Sequence, residues 1–443
     1  RSRLLLSAVS AQPPRGWTVL STPPFAPEVV ETLGGPTWLA ERRVAAAKRF
    51  EQRALPTPSD ETWRYGRIDE FILGQFSPWT SATDELVHSN FDEVVHDPAA
   101  VVRTRDGFVM AIDLRHPGDF VVQRLTESDP FTPPLGVVAG IDEAFVDLAD
   151  ALVVDGVTIT VPAGIEVQRP IVVIHEFSGV PSPTVVTTRT SISVGEGGSA
   201  TVIEHLISGA GEILVLPVTE IDVAASGTLI HQIVQELDPQ SWMFGYQASR
   251  VAESGSFRSF VAALGGDYSR LLTRSSLVGE LASSELLAAY LGTGNQMQHF
   301  VTQQEHVAPR TRSELIFKGA VDDSAQSVYI GLVHMAKGAK KSDASQTNRN
   351  LVLGDEAFAF SVPNLDIEEN DVKCSHASAV GPIDPEQRFY LEARGIHPEI
   401  AERLILLGFF DDLLDRVVER GSATHIRAAV ARALVGKKSE IPA

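Results

Sequence analysis

The segment Asp371-Val372-Lys373-Cys374-Ser375-His376 sets the sole cysteine of the chain two residues before a histidine. In an extended strand side chains alternate between faces, so Cys374 and His376 share a face, roughly 7 Å apart. A thiolate and a neutral imidazole are competent donors to a soft metal or to cluster iron. Two donors leave such a coordination shell half empty, so a metal held by His376 and Cys374 needs ligands from elsewhere. A buried cysteine beside a capping histidine would show the same spacing. Residue chemistry leaves both readings open.

Other candidate chemistry is thinner. Carboxylates pair at Asp322-Asp323 and in the run Glu368-Glu369-Asn370-Asp371. Two carboxylates suffice for glycoside hydrolysis, so a carbohydrate-active β-helical enzyme stays open as an alternative. Solvated acidic loops explain the same residues in an acidic chain, and 7% aromatic content is low for a sugar-lined groove. The twelve histidines are scattered, and His175, His205 and His231 read as satisfied strand residues rather than ligands. Gly195–Gly198 and Gly292-Thr293-Gly294 lack the Gly-Lys-Ser/Thr ending of a phosphate loop, so ATP hydrolysis by this chain is not expected. No metalloprotease histidine pair and no Gly-x-Ser-x-Gly nucleophile elbow is present.

The formal charge of −20 and the lack of a basic run argue against nucleic acid or an anionic membrane as partner. One cysteine excludes an internal disulfide framework and fits a reducing cytosol. It also excludes a self-contained cluster site, which takes about four thiolates. The longest apolar stretches, such as Leu404–Phe410, are far shorter than the roughly 20 residues that span a bilayer. Leu4–Ala11, after Arg1 and Arg3, is too short for a convincing export leader.

The elements that must position these residues change character along the chain. Residues 1–25 are Pro- and Ser-rich. Pro27–Arg53 has helical patterning, Pro56–Asp69 is a loop into Trp63 and Tyr65, and 80–130 mixes short strands and turns. A short helix is expected over Gly140–Leu152. From Val153 onward Gly and Pro separate short β-branched runs, among them Val157–Val161, Ile171–Ile174, Val185–Thr188, Ser191–Val194 and Ile213–Val218. They continue through Ser313–Lys318, Ser327–Val333 and Leu351–Leu353. Gly179, Gly195, Gly211 and Gly227 recur every sixteen residues, as glycines would at the corners of a stacked coil. Patterning alone fits either a parallel β-helix or a β-sandwich. After Pro382 the chain turns helical. Asp384, Pro385 and Gln387 start one helix and Gly395 ends it, while Pro398 opens the next. Ile400, Leu404, Leu407, Leu414 and Val417 mark the apolar side of that helix, and a last helix is expected over Thr424–Leu434. Helical flanks would cap the two open ends of a solenoid.

The C-terminal 130 residues resemble the SufB/SufD family. The matching runs are Ser313-Glu314-Leu315-Ile316-Phe317-Lys318-Gly319, Lys341–Gln346, Asn348–Leu351, Val362–Ile367, Asp371–His376, Phe389-Tyr390-Leu391 and Arg394-Gly395-Ile396. Upstream, Leu55–Pro58 and Asp60–Tyr65 are similar to the family's entry motif. Asn348 stands where the SufB branch carries a cysteine, and Ala377 where SufB has a glutamate. Lys373-Cys374-Ser375-His376 is similar to the SufD branch, although Ala377-Ser378 departs from its more frequent Gly-Ala.

The resemblance implies a mainly β chain, with a right-handed parallel β-helix core over 152–380. A helical or mixed N-terminal domain over 1–151 and a helical C-terminal domain over 381–443 would flank it. It implies a cytoplasmic, non-catalytic scaffold paired with SufB and bound through its C-terminal helices to the ATPase SufC. A SufB-like cluster scaffold remains the nearest alternative. A cysteine desulfurase system would act on it indirectly. Its iron–sulfur cluster would be transient and shared with SufB, with none held tightly by the isolated chain, and no flavin motif is visible. His376, with Cys374, is the expected assembly and metal position, completed by the partner subunit. Phe409 and Phe410 in the apolar belt are the expected docking or packing residues.

Overall fold

The computed structural model describes residues 25–81, 89–128, 135–136, 143–178, 183–417 and 419–435. The leader-like Leu4–Ala11, the start of the helix expected over Gly140–Leu152, Gly179 and the C-terminal tail lie outside the described residues.

From Val157 to Gly381 successive strands fall alternately into two parallel sheets. Each strand pairs with the strand two positions away in sequence, giving a parallel β-solenoid of about eight turns with helices at both termini. In register, Thr228 lies between Ser199 of the coil before and Ser256 of the coil after. The coil therefore repeats at almost twice the sixteen-residue glycine interval. Gly195 does sit at a corner, where a Cβ would come within 2.6 Å of the Ala163 amide nitrogen. The corner that recurs in every coil is instead a ladder of left-handed residues: Gly164, Gly197, Ser226, Ser254, Leu281, Arg310 and Lys341. Each donates its amide to the next coil, as Ser226 does to Glu253 O and Ser254 to Glu280 O. Glycine spacing misses this ladder because most of its rungs are not glycine.

Strands buried on both faces read as near-continuous apolar runs rather than alternating ones. Ile171–Phe177 and Thr184–Val194 show why, with their inner face filling the lumen and their outer face covered. On one flank the cover is the helix Ala144–Leu152 with Trp63 and Phe71, packed on Leu214, Leu216, Phe244 and Tyr268. Asp150, at the buried face of that helix, pairs with Arg42 and Arg189 at 2.6 Å each. On the other flank the helices Pro398–Leu414 and Arg420–Val435 lie across Ile203, Val234, Phe260 and Leu287.

The C-terminal helices thus cover a flank, and they do not plug an end as the capping argument expects. At the N-terminal end each sheet is closed by an antiparallel strand, Phe108–Leu114 in one and Val121–Arg124 in the other. Nothing comparable follows the last coil among the described residues. The expected stripe packs in its second half, where Leu414 and Val417 are buried and Leu407 lies against the flank, and is rotated out to solvent in its first turns. Ala401, Leu406, Phe410, Leu413 and Leu414 are buried, whereas Ile400 and Leu404 are exposed. The helix starts follow the sequence closely. The Asp384 carboxylate accepts the Glu386 amide at 2.9 Å, and Gly395 takes φ +80° after the helix Pro385–Glu392.

Candidate functional site

Lys373–Gly381 is the last strand of its sheet and pairs only with Asp343–Val352. Among the described residues no strand lies beside its outer edge of backbone N–H and C=O groups. The same holds for Phe358–Ile367, last in the other sheet. Such edges are templates for pairing with another chain.

Cys374 and His376 share a face, as their spacing requires. In register they lie on Ala344 and Gln346, which with Asn348 and Asn350 are the buried, lumen-facing positions of the strand below. In Lys373–Gly381 the same positions have no coil above them among the described residues. His376 is exposed and Cys374 half-buried. Burial, with the nearby Asp343 carboxylate, pushes the Cys374 thiol up. A cysteine held this way favours the thiol until a cation or metal arrives to stabilise the thiolate. The two groups together are an incomplete donor pair at an open mouth.

Around that mouth the surface is apolar in a way sequence reasoning did not single out. Phe358, Phe360, Ile367 and Val380 are exposed, Phe358 by 56%. Tyr65, from the loop near Trp63, stacks on Phe360 at 5.0 Å. The signal was present in the sequence as the large apolar residues Phe358, Phe360, Ile367 and Val380 in a coil that no further coil follows among the described residues.

The remaining candidates separate by position. Asn348 belongs to a buried polar knot: its amide donates to Tyr290 OH at 3.0 Å and Phe317 O at 3.1 Å and accepts from Asn350 at 2.8 Å. The acidic runs are turn scaffolding. Asp323, with φ +54°, accepts the Gly294 amide, and Glu369 accepts the amides of Gly338, Asn370 and Asp371. His175 and His231 are inside the lumen, both hydrogen-bonded to Glu204. Phe410 is fully buried in the flank, so it is a packing residue. Phe409 is half-buried beneath Lys318, whose ammonium bonds Phe409 O at 2.9 Å and Asp412 at 2.5 Å. The exposed aromatics of the C-terminal segment are Phe389 and Tyr390, the former by 71%. No helix among the described residues is long and apolar enough to cross a membrane.

Residues 177–409 match the domain family described as SUF system FeS cluster assembly, SufBD core domain. The iron–sulfur cluster assembly protein SufD of Escherichia coli (strain K12) is 29% identical across 86% of this chain and 90% of its own length. The protein of the same description from Bacillus subtilis (strain 168) is 26% identical across 90% and 94%. An iron–sulfur cluster assembly SufBD family protein of Mycobacterium tuberculosis is 34% identical over 41% of this chain and 48% of that protein.

Proposed function

This chain belongs to the SufB/SufD family of iron–sulfur cluster assembly proteins, and on that premise we propose that it is the SufD-type scaffold subunit of a SufB–SufC–SufD complex. The observation that carries the reading is the open last coil, where unpaired strand edges, an apolar rim and the Cys374–His376 pair occupy one surface. A SufB subunit meeting that surface would pair the free edges and cover Phe358, Phe360 and Val380. It would also supply the ligands that two donors lack. The cluster is cargo, built at the shared mouth and passed on, and the chain performs no turnover of its own. His376 offers an imidazole to iron during assembly. Cys374 gives a thiol that becomes a thiolate only when iron or a partner cation stabilises it.

SufC docks on the C-terminal helices. Since Phe410 is internal, the surface available for that contact is Phe389, Tyr390, Ile400 and Leu404. The site of action is the cytoplasm, in keeping with a lone cysteine.

The test is co-expression of the full chain with SufB and SufC, followed by sizing and iron and sulfide analysis. A single three-component complex carrying iron and sulfide is expected. The isolated chain, reconstituted anaerobically and desalted, should keep no chromophore. A stoichiometric cluster on the isolated chain would overturn the scaffold reading.

A further inference from the structure

We propose that His205, Glu236 and His425 form a binding site for one divalent first-row transition ion, zinc or ferrous iron, that fastens the last helix to the flank of the solenoid. This site is separate from the open mouth and does not depend on the function proposed for it.

The three residues come from three elements. His205 is on the strand Ser199–Ser208, Glu236 ends the neighbouring strand Thr228–Glu236, and His425 is on the helix Arg420–Val435. Their ligand atoms all lie within 4.8 Å of one another. His205 Nε2 is 3.0 Å and His425 Nε2 is 2.7 Å from the same oxygen, Glu236 Oε2. Ligands about 2.0–2.2 Å from a metal stand roughly 3.0–3.4 Å apart in octahedral or tetrahedral geometry. The two separations from Glu236 Oε2 are within a few tenths of an ångström of that spacing.

His205 also has the outer partner that a metal-binding histidine uses. Ser89 Oγ is 3.1 Å from His205 Nδ1 and accepts the Phe91 amide at 3.2 Å. If Nδ1–H donates to this hydroxyl, the Nε2 lone pair faces Glu236, which is the usual arrangement of a liganding imidazole. Phe91 stacks on His205 at 4.3 Å and meets His425 edge-on at 5.3 Å, so one aromatic wall fixes both rings. His205 is buried, while His425 and Glu236 are each partly open, which gives an ion and its waters a way in. Arg432 lies 4.0 Å from the second carboxylate oxygen and leaves Oε2 as the ligand atom.

The donor set selects the ion class. Two imidazoles and one carboxylate suit zinc or ferrous iron with open positions for water. Calcium and magnesium prefer all-oxygen shells, and cuprous copper prefers thiolates. When neutral histidines bind, each Nε2 proton moves to Nδ1, so the exchange of hydrogen bonds for metal bonds balances without net proton release.

The experiment uses the full chain under anaerobic conditions, titrated separately with zinc, ferrous iron and cobalt(II) as the visible-absorbing probe. One ion per chain is expected, with a cobalt ligand-field band and a raised melting temperature. His425→Ala and Glu236→Gln should weaken binding at this site by a factor on the order of 10 to 100 or more. Cys374→Ser and His376→Ala should leave it unchanged, which separates it from the mouth. Circular dichroism of the variants without metal checks that each is folded. Binding of either ion supports the site, and the tighter of the two names it. A cobalt band and melting shift that persist in folded His425→Ala and Glu236→Gln would overturn the proposal, as would failure of all three ions to bind the unaltered chain.

Discussion

Gln346 lies directly below His376 in the last two coils, at the same lumen-facing register position, yet Gln346 is buried and His376 is exposed. Only the coil above distinguishes them. Both side-chain amide atoms of Gln346 are buried without a hydrogen-bond partner, directly beneath the mouth. An unpaired buried amide is costly, so the last coil ends in a set of groups that favour a covering partner. The positions of Cys374 and His376 follow from the same geometry, because a strand that ends a solenoid presents its inward residues to whatever meets the end.

Phe410 tests what holds the C-terminal helices. It sits in one cluster with Phe91, Phe260, Leu287 and Leu406. Phe410→Ala should cost about 3–5 kcal/mol of local stability, and Phe410→Asp should release the two helices from the flank. Faster amide exchange over 398–435, with the solenoid strands unchanged, is the measurement. Phe409→Ala, at a half-buried position, should cost about 1–2 kcal/mol at most. Equal exchange in Phe410→Asp and the unaltered chain would contradict this packing.

Glu204 organises the lumen. It accepts from His175 at 2.9 Å, His231 at 2.7 Å, Thr190 at 2.7 Å and Thr219 at 2.9 Å. Burial alone would raise this carboxyl, and the hydrogen bonds from His175 and His231 outweigh it and hold it well below the usual range. Glu204→Ala strands two imidazoles and two hydroxyls, and the expected loss is roughly 3–5 kcal/mol in urea unfolding. Glu204→Gln, which keeps one acceptor, should lose less. If the two variants unfold alike, the carboxylate is not the organiser.

Much of this was legible in the sequence, for local reasons. The strand Val157–Val161 and the Asp384 cap depend on nearby residues, and β-branched runs and capping side chains reveal them. The shared face of Cys374 and His376 follows from strand alternation. What stayed hidden depends on the neighbouring coil. Leu281 and Arg310 occupy left-handed corners although neither residue type favours them, because the adjacent coil accepts their amides. The buried side of Pro398–Leu414 could not be read from a segment apolar all round, since the sheet it meets decides it. His205, Glu236 and His425 have no sequence spacing that marks them as a group.

Acid should loosen the fold in two stages. Burial lowers His306 to about 4, with His334 nearby adding to the shift, while its ring nitrogens face Thr311 and Ser313. Above pH 6.5 the ring is neutral in both states and its contribution is complete. As pH falls from 6.5 toward 4 the unfolded chain takes the proton first, so up to about 3 kcal/mol is lost. Glu236 continues the loss at lower pH. Burial would raise its carboxyl, but His205 and His425 hold it at about 2, so its contribution fades as pH falls from 4.5 toward 2. His306→Gln should flatten the first stage in urea unfolding at pH 7 and pH 4.5. An unchanged slope would rule His306 out as its source.

His376 carries the assembly prediction. It is the exposed imidazole of the open mouth, and no residue of its own chain among those described makes a hydrogen bond or ion pair with its ring. His376→Ala removes no buried contact, so folding and assembly with SufB and SufC should be unaffected, within about 0.5 kcal/mol in stability. If the ring serves iron during assembly, the purified complex should carry markedly less iron and sulfide at equal protein yield. Cys374→Ser should have the milder effect, because its thiol is raised and half-buried and a serine hydroxyl fills nearly the same space. Gln346→Leu, one coil below, gives the contrast: it removes two unpaired buried amide atoms and should leave stability equal or higher without lowering cluster yield. A His376→Ala complex with full iron and sulfide content would show that the mouth works through its strand edges alone.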